Sequence, residues 1–275
     1  MDKIWLKNYP AGVPHDVDPD QYRSAAHLLE EAMRKHAASP FSVCMERWMS
    51  YGELDRHSAA LGAWLQGQGL EPGARVAIML PNVPQFAVTM AAVLRAGYTC
   101  VNVNPLYTAR ELEHQLKDSG ATAIVILENF AHTLAEVVDH TNVKHVVMAS
   151  MGDMLGFWYG QWITFAVRHL AKMVPAYELP LTGGRQVTSF KKALAMGARR
   201  TLQPSQANHD SIAFLQYTGG TTGLSKGAVL THRNIIAATL QAEAWFTPAL
   251  AKIGDLSKAN SIAALPLYHI FALTL

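Results

Sequence analysis

Residues 75–103 read RVAIMLPNVPQFAVTMAAVLRAGYTCVNV, and their order of apolar runs and turn residues indicates the fold class. It opens with a short apolar run that ends at Pro81-Asn82. Apolar residues then recur at helical spacing over 85–95, and Gly97 stops the pattern before a second strand-like run over 98–103. A strand, a helix and a strand in this order predict a βαβ unit, in which the two strands are parallel.

The alternation of strand and helix continues beyond this unit. Thr108 and Glu111 have the spacing of a capping box, which predicts a helix that ends at Asp118-Ser119-Gly120. Apolar runs over 121–127 and 143–148 predict two more strands, with a helix over 131–138 between them. Parallel strands that are apolar along their whole length are covered on both faces. The sequence therefore predicts an α/β fold with a doubly wound, mostly parallel sheet.

The segments outside this layer differ from it in composition and in predicted secondary structure. Residues 1–73 are mainly helical and are expected to pack against the sheet formed within 74–150. A Trp-rich insertion and a linker with glycine and proline occupy 151–210. Residues 211–275 hold a glycine-rich loop and, we expect, the start of a second sheet. We interpret the whole of 1–275 as one partial N-terminal domain.

Composition excludes several classes of protein. Half of the residues are hydrophobic and 16% are charged, so the chain can bury a core and is not expected to be disordered. The net charge of +2 comes from scattered Lys and Arg, which argues against a nucleic-acid partner. Cys44 and Cys100 are too few for a disulfide framework. Because the start lacks a secretory signal and no apolar run is long enough to span a bilayer, we expect a cytoplasmic location.

The insertion gathers aromatic residues beside basic ones. An aromatic stretch over 157–165 is followed by Arg168, His169 and Lys172. A helix of this composition can lie in a lipid interface, with rings at the headgroup level and cations toward anionic lipids. The same stripe also occurs in helices buried in a core. The sequence leaves two interpretations open: peripheral contact of 155–172 with the inner face of the cell membrane, or a buried helix.

A strand-like run over 211–217 leads directly into TGGTTGLSKG at 218–227. Glycines let backbone N–H groups turn toward an anion and let a phosphate approach without a Cβ in the way. The hydroxyl groups add donors and metal ligands, and Lys226 adds a mobile positive charge. A plain hairpin turn needs one or two glycines and gains nothing from a lysine. The loop is therefore predicted to hold a triphosphate.

This loop is not a Walker loop, because Lys226 is followed by Gly227 instead of Ser or Thr. The longer run YTGGTTGLSKGAVLTH at 217–232 resembles the phosphate-loop signature of the adenylate-forming, or AMP-binding, superfamily. ALPLYHIF at 264–271 is similar to the motif that lines the acid pocket in that family, and VNVNPLYTAREL at 101–112 is typical of its acyl-CoA synthetases. Together the matches resemble bacterial long-chain fatty acid–CoA ligases.

The resemblance implies a two-step reaction with Mg²⁺ as cofactor and ATP and CoA as co-substrates. A long-chain fatty acid and ATP give an acyl-adenylate and diphosphate, and CoA then displaces AMP. Lys226 and His269 would be catalytic, Tyr268 and His269 would contact the acid, and Thr218 would help to hold the metal. The residues that would contact the nucleotide are Tyr217, Thr218, Gly219, Gly220, Thr221, Thr222, Gly223, Leu224, Ser225, Lys226, Gly227 and Ala228.

The resemblance also implies that part of the catalytic machinery lies beyond this sequence. Family members have a metal-binding glutamate, a ribose-binding aspartate and a small C-terminal domain, none of which has a counterpart here. We therefore expect the isolated chain to be inactive or severely impaired. Three other functions stay open: a noncatalytic acyl- or nucleotide-binding module, an adenylating ligase for aryl or shorter acids, and a membrane-associated interaction protein.

Overall fold

A computed structural model describes residues 3–219, 224–253 and 260–273. In this part of the chain two strands near the start pair as an antiparallel hairpin, and seven later strands form one sheet. The strands are β1 Pro40–Cys44, β2 Arg47–Ser50, β3 Arg75–Met79, β4 Thr99–Asn102, β5 Ala123–Leu127, β6 His145–Ala149, β7 Gln186–Ser189, β8 Ile212–Thr218 and β9 Lys226–Thr231.

The strand order in the sheet is β7-β6-β5-β3-β4-β8-β9. Neighbouring strands are parallel except for β8 and β9, which pair antiparallel at one edge. The chain runs from β3 to β4 on one side and then crosses to β5 on the other side of β3. This reversal confirms the predicted doubly wound sheet and places the topological switch beside β3, where such folds bind ligands beyond the carboxyl ends of their strands.

Helices connect the strands and cover the sheet. They are α1 Ala25–Lys35, α2 Tyr51–Gln66, α3 Pro84–Arg95, α4 Ala109–Ser119, α5 Ala131–Val137, α6 Phe157–Phe165, α7 Phe190–Gly197, α8 His232–Leu250 and α9 Ile270–Leu273. A short π-helical segment, Ala166–Leu170, follows α6. Within the described ranges, no helix combines the length and the apolar character that crossing a bilayer requires.

Alternate residues of each central strand enter two different hydrophobic cores. Val76 and Ile78 pack into one core, and Ala77 and Met79 pack into the other. All four side chains are fully buried. Because successive side chains of a strand point to opposite faces, the two cores lie on the two faces of the sheet. β3 is apolar along its length because the sheet is covered on both faces, as predicted from the sequence.

The predicted helix boundaries around α4 are confirmed in atomic detail. The Thr108 hydroxyl accepts a hydrogen bond from the Glu111 amide, and the Glu111 carboxylate accepts one from the Thr108 amide. Gly120 ends the helix in the left-handed conformation, with φ of 65°. A side chain with a Cβ is strained in this conformation, so the glycine is an effective stop.

Two predictions about the second half of the chain are wrong. The interpretation of 179–210 as a linker misses β7 and α7, whose Phe190 and Ala193 are fully buried. β7 escaped detection because Gln186–Ser189 is a short, polar edge strand without an apolar run. The expectation that 211–275 starts a second sheet is also wrong, because β8 and β9 extend the first sheet next to β4.

The N-terminal helices are held together by one buried cation. The Arg95 guanidinium, on α3, bonds to the Glu30 carboxylate of α1 at 3.2 Å and to the Asp55 carboxylate of α2 at 2.8 Å. It also donates to the Ser58 hydroxyl at 2.7 Å. A nearly buried arginine needs all of these partners, since an unpaired buried charge is strongly destabilising. The mainly helical segment before β3 is thereby fixed to the sheet layer through α3.

A buried histidine joins the start of α8 to the start of α1. The His232 Nδ1 atom accepts a hydrogen bond from the Ala25 amide at 3.1 Å, which requires the uncharged ring. Burial, with a smaller contribution from His209, lowers the pKa of His232 to about 4. The folded state therefore binds a proton at this site less readily than the unfolded state.

This difference predicts that acid destabilises the fold through His232. Its contribution to stability is complete above the ordinary histidine pKa near 6.5 and is lost as the pH falls toward about 4. The free energy of unfolding should fall by about 2 kcal/mol at this site between pH 7 and pH 5. Urea titrations at the two pH values should show a flatter pH dependence in His232→Asn, which keeps a side-chain acceptor without a titrating ring. An equally steep dependence in the variant would contradict the assignment.

Candidate functional site

Three segments that are distant in sequence meet at the carboxyl ends of β3, β4 and β8. These strands are adjacent and parallel, so the chain leaves each of them at the same edge of the sheet. The segments are the β3–α3 turn with Asn82, the β4–α4 turn with Tyr107, and the glycine-rich loop after Thr218. This edge adjoins the topological switch, where a ligand site is expected in a doubly wound sheet.

The glycine-rich loop connects the two strands of a hairpin. Thr218, the last residue of β8, pairs with Lys226, the first residue of β9. Both side chains are exposed at the base of the loop, as are Gly219 and Leu224. Of the predicted nucleotide contacts, Gly220, Thr221, Thr222 and Gly223 lie outside the described residues. The described ends place a hydroxyl and an ammonium group on the two paired strands at the base of the loop.

Tyr217 and Gly227 form the root of this loop. They are register partners, and a Cβ at Gly227 would lie 3.0 Å from the Tyr217 ring. The Tyr217 hydroxyl donates a hydrogen bond to the Asp118 carboxylate at the end of α4. Burial and the nearby Asp118 raise the pKa of Tyr217 well above its ordinary value, so the phenol stays protonated. Both residues are predicted nucleotide contacts, and in the structure they fix the hairpin to α4.

The second leg of the loop is attached to α4. The Ser225 carbonyl lies 3.0 Å from the His114 Nε2 atom. Burial raises the pKa of Tyr107, in the turn before this helix, with a smaller effect from Glu111. The helix that begins within VNVNPLYTAREL therefore does more than cover the sheet, because its His114 contacts the loop.

The segment before α9 is held at the same edge by Asn82. The Asn82 Nδ2 atom donates to the carbonyls of Ala263 and Leu265 at 2.7 and 2.8 Å, and its Oδ1 atom accepts from the Leu267 amide at 2.8 Å. In the sequence, Asn82 stands out only as a turn residue. The further signal is an amide that follows a central strand at the topological switch, because amides carry both a donor and an acceptor.

A chain of buried amides links the loop to this segment. The Asn102 Nδ2 atom donates to the Gln216 Oε1 atom at 3.2 Å, and the Gln216 Nε2 atom donates to the Tyr268 carbonyl at 3.1 Å. Gln115 supports the chain from α4 through a bond to the Asn102 carbonyl at 2.8 Å. Since Gln216 lies two residues before Thr218, the position of Tyr268 is tied to the root of the loop.

Tyr268 and His269 lie in a turn just before α9. Tyr268 is partly buried against the larger core, whereas the His269 side chain is exposed. The His269 amide bonds to the Pro266 carbonyl at 2.9 Å, and its Nδ1 atom accepts a hydrogen bond from the Phe271 amide at 3.3 Å. The exposed His269 ring is therefore not part of the core. The structure brings His269 to the same sheet edge as the loop.

Few groups at this edge could hold a metal ion. Among the described residues, no three His, Cys, Asp or Glu side chains are grouped so that they could hold one ion. The exposed Thr218 hydroxyl is a fitting single ligand for Mg²⁺, which usually keeps waters and binds substrate phosphates alongside few protein atoms.

A large cavity in the described part of the chain lies at the opposite end of the sheet. It has a volume of about 590 Å³ and is lined by Gly97, Thr99 and Ile212, which lie at the amino ends of β4 and β8, together with His232. Because neither the glycine-rich loop nor the segment held by Asn82 contributes to it, cavity size does not identify the chemical site. The candidate site is placed instead where the three segments at the carboxyl ends of β3, β4 and β8 converge.

The aromatic insertion presents its rings to the outside. Trp158 is 82% exposed and Trp162 is 56% exposed, so the interpretation of 157–165 as a buried helix is wrong. Two contacts attach the insertion to residues that follow β5. The Arg168 Nε atom bonds to the buried Glu128 carboxylate at 2.8 Å, and Asn129 donates to the Met173 carbonyl. Glu128 and Asn129 follow β5, so the insertion lies on the same edge of the sheet as the loop.

Comparison with known proteins gives matches over the whole chain. The model of the family described as AMP-binding enzyme matches residues 29–275. Long-chain-fatty-acid–CoA ligases from Salmonella typhimurium and Haemophilus influenzae are 48% and 45% identical over 276 aligned residues, which cover 100% of this chain and 48% of each relative. The chain thus spans about half the length of the curated relatives it matches.

Solved structures share the fold at lower identity. A long-chain-fatty-acid–CoA ligase from Archaeoglobus fulgidus has a TM-score of 0.67 at 22% identity, with 97% of this chain and 46% of that chain covered. An anthranilate CoA ligase in complex with anthranoyl-AMP has a TM-score of 0.64 at 19% identity, with 83% and 38% covered. These similarities agree with the doubly wound sheet described above.

Two glycines of the loop are predicted to respond differently to a methyl group. Gly227→Ala should lower the free energy of unfolding by about 1–3 kcal/mol, because the new Cβ would press on the Tyr217 ring. Gly219→Ala is the matched control, since a Cβ there meets no described atom within 4 Å. Urea titrations measure both changes. Equal stability of the two variants would show that Gly227 and Tyr217 do not pack as described.

Proposed function

This chain belongs to the AMP-binding enzyme family, and on that premise we propose that it is the N-terminal portion of an ATP-dependent long-chain fatty acyl-CoA synthetase. The observation that carries the proposal is the meeting of the phosphate loop and the 264–271 segment at one sheet edge. The identity of 45–49% to curated long-chain-fatty-acid–CoA ligases supports the choice of acid.

The reaction joins two anions, and the loop reduces their repulsion. A carboxylate oxygen of the fatty acid attacks the α-phosphorus of ATP, the bond to the β-phosphate oxygen breaks, and diphosphate leaves. Lys226 lies at the start of β9, next to the loop, with its side chain exposed. Its charge would stabilise the negative charge that develops on diphosphate, as cationic clamps do in phosphoryl transfer.

The root of the loop keeps the charged groups in position. Tyr217 bonds to α4 through Asp118, and Ser225 bonds to α4 through His114. Backbone amides between these anchors would donate to the phosphates, as in other glycine-rich anion sites. Placing the donors before the reaction starts avoids the cost of reorganising them in the transition state.

Mg²⁺ completes the proposed phosphate site. The ion supplies Lewis-acid polarisation of phosphate oxygens when it is bound. Thr218 would hold it with one hydroxyl oxygen, and the triphosphate would provide further oxygens. Tyr268 and His269 would border the carboxylate on the other side, because the Gln216 bond fixes the backbone there beside β8.

The second half-reaction consumes the acyl-adenylate. The CoA sulfur attacks the acyl carbon, the bond to the phosphate oxygen of AMP breaks, and the thiol proton leaves to a base or to solvent. The described residues carry groups that fit the first half-reaction. Because this chain spans about half of its relatives, CoA binding and the thioester step are proposed for the longer protein.

Lys226→Ala provides the direct test of the proposal. In a polypeptide extended to the length of the relatives, ATP–diphosphate exchange with palmitate should slow by roughly 10²–10³-fold, because one stabilising cation is lost. The free energy of unfolding should change by less than about 0.5 kcal/mol, because Lys226 is exposed. Lys192→Ala, an exposed lysine on α7, is the control and should keep normal exchange.

The same assay separates the alternatives. Unchanged exchange in Lys226→Ala would exclude the catalytic role of this lysine. Binding of ATP without exchange in any form of the protein would favour a noncatalytic module. Exchange with benzoate or butyrate but not with palmitate would favour a ligase for aryl or shorter acids.

We also propose that α6 is a peripheral membrane contact. Its exposed rings include Phe157, Trp158 and Trp162, and Lys172 follows them within the insertion. Aromatic rings beside cations match the headgroup region of an anionic bilayer. Long-chain fatty acids partition into bilayers, so a site on the same sheet edge as the loop would lie close to the substrate's source. The inner face of the cell membrane is the proposed location.

This contact is predicted to depend on Trp158. Trp158→Ser should weaken sedimentation of the chain with phosphatidylglycerol-containing vesicles by about tenfold, since one large apolar side chain no longer leaves water. Trp5→Ser is the matched control, because Trp5 is 50% exposed but lies outside the insertion. Equal vesicle binding by both variants and the unmodified chain would exclude α6 as the contact.

A further inference from the structure

Asn82 makes an unusual set of contacts for a turn residue. Its single amide saturates three backbone groups of the 263–267 segment, two carbonyls and one N–H, at 2.7–2.8 Å. The segment has no strand partner in the described residues and is mostly exposed. Unpaired backbone groups in such a segment would otherwise bond to water. The Asn82 bonds therefore decide where this segment lies on the sheet.

The segment has a second anchor at its other end. The Gln216 Nε2 atom donates to the Tyr268 carbonyl at 3.1 Å, and Gln216 is almost fully buried in β8. Asn82 follows β3 and Gln216 lies near the end of β8, with β4 between the two strands. The two amides thus hold the peptide that leads into His269 across three strands of the sheet.

We propose that Asn82 is a positioning residue for the carboxylic acid: its three backbone bonds, together with the Gln216 bond, fix the 263–269 peptide and hence place Tyr268 and His269 relative to the phosphate loop. The inference rests on the proposed synthetase function. Asn82 touches neither the acid nor the nucleotide in this account, and it acts through the backbone that carries the two acid-contacting residues.

This role has a specific kinetic signature. The phosphate loop has its own anchors, Tyr217 on Asp118 and Ser225 on His114, which do not involve Asn82. Loss of Asn82 should therefore displace the acid-contacting peptide and leave the ATP-contacting loop in place. The KM for the acid and the KM for ATP should separate, whereas general loosening of the fold would lower the active fraction and change neither constant selectively.

Gln66 offers a closely matched control. Its amide also makes three backbone bonds, to the Ala96 carbonyl at 3.3 Å and to the carbonyl and amide of Gln203 at 3.0 and 2.9 Å. It lines the large cavity at the amino end of the sheet, away from the loop. Gln66→Ala and Asn82→Ala remove the same kinds of bond and differ in the segment that is released.

The experiment combines amide exchange with steady-state kinetics. In this chain, hydrogen exchange at the Leu267 amide should become faster in Asn82→Ala and stay unchanged in Gln66→Ala. In a polypeptide extended to the length of the relatives, ATP–diphosphate exchange by Asn82→Ala should show a KM for palmitate raised about tenfold and a KM for ATP within about twofold of normal. Asn82→Asp keeps the acceptor for Leu267 but loses both donated bonds, so it should raise the palmitate KM with less change in exchange at Leu267.

Each result bears on a different claim. Unchanged Leu267 exchange, a normal palmitate KM in an active Asn82→Ala enzyme, or an equal rise in both KM values would overturn the positioning role while leaving the synthetase function standing. Absence of exchange activity in the unmodified enzyme would overturn the synthetase function and, with it, this role. If Asn82→Ala does not fold, the Asp variant carries the same kinetic comparison.

Discussion

Burial of the central sheet on both faces is the constraint on which the rest of the molecule depends. Val76, Ala77, Ile78 and Met79 are fully buried and alternate between two cores, so no polar group can be placed along the middle of β3 without losing its hydrogen bonds to water. Polar chemistry is confined to the strand ends. Because β3, β4 and β8 are parallel neighbours, the ends of these strands lie at one edge of the sheet, although they are up to more than a hundred positions apart in sequence.

The segments at this edge are held mainly by neutral amides. Asn82, Asn102, Gln115 and Gln216 each bond to backbone or to another amide. An amide supplies a donor and an acceptor together, which suits irregular backbone with both kinds of group. An amide also adds no net charge beside the site proposed to hold a triphosphate. An extra carboxylate there would repel the triphosphate, and a lysine paired with that carboxylate would be less available to bind the phosphates. The amides therefore add no charge near Lys226, whose side chain is exposed at the start of β9.

Sequence patterns predicted the parts of the fold whose cause is local. The capping box at Thr108 and the left-handed stop at Gly120 depend on a few neighbouring residues, and the central strands are marked by continuous apolar runs. β7 was missed because an edge strand can be polar, and its place is decided by pairing with β6 instead of by its own residues. The roles of Asn82 and His114 were missed for a related reason, since their partners lie 185 and 111 positions away. The sequence marks Asn82 as an amide that follows a central strand, but it does not show which distant residues either side chain will contact.

Two glycines of the 218–227 loop are in different surroundings. Gly227 lies in a strand against the Tyr217 ring, and it is small because an aromatic side chain occupies the space of its Cβ. No described atom lies within 4 Å of the place a Cβ would take at Gly219, so a small residue there would leave room for the proposed ligand. A loop that binds phosphate needs both properties, because backbone donors must be free to face the ligand while the strands beneath them stay fixed. The contact between Tyr217 and Asp118 fixes the base. Under the proposed function, the glycines of 218–227 would serve packing at the base as well as approach of a ligand.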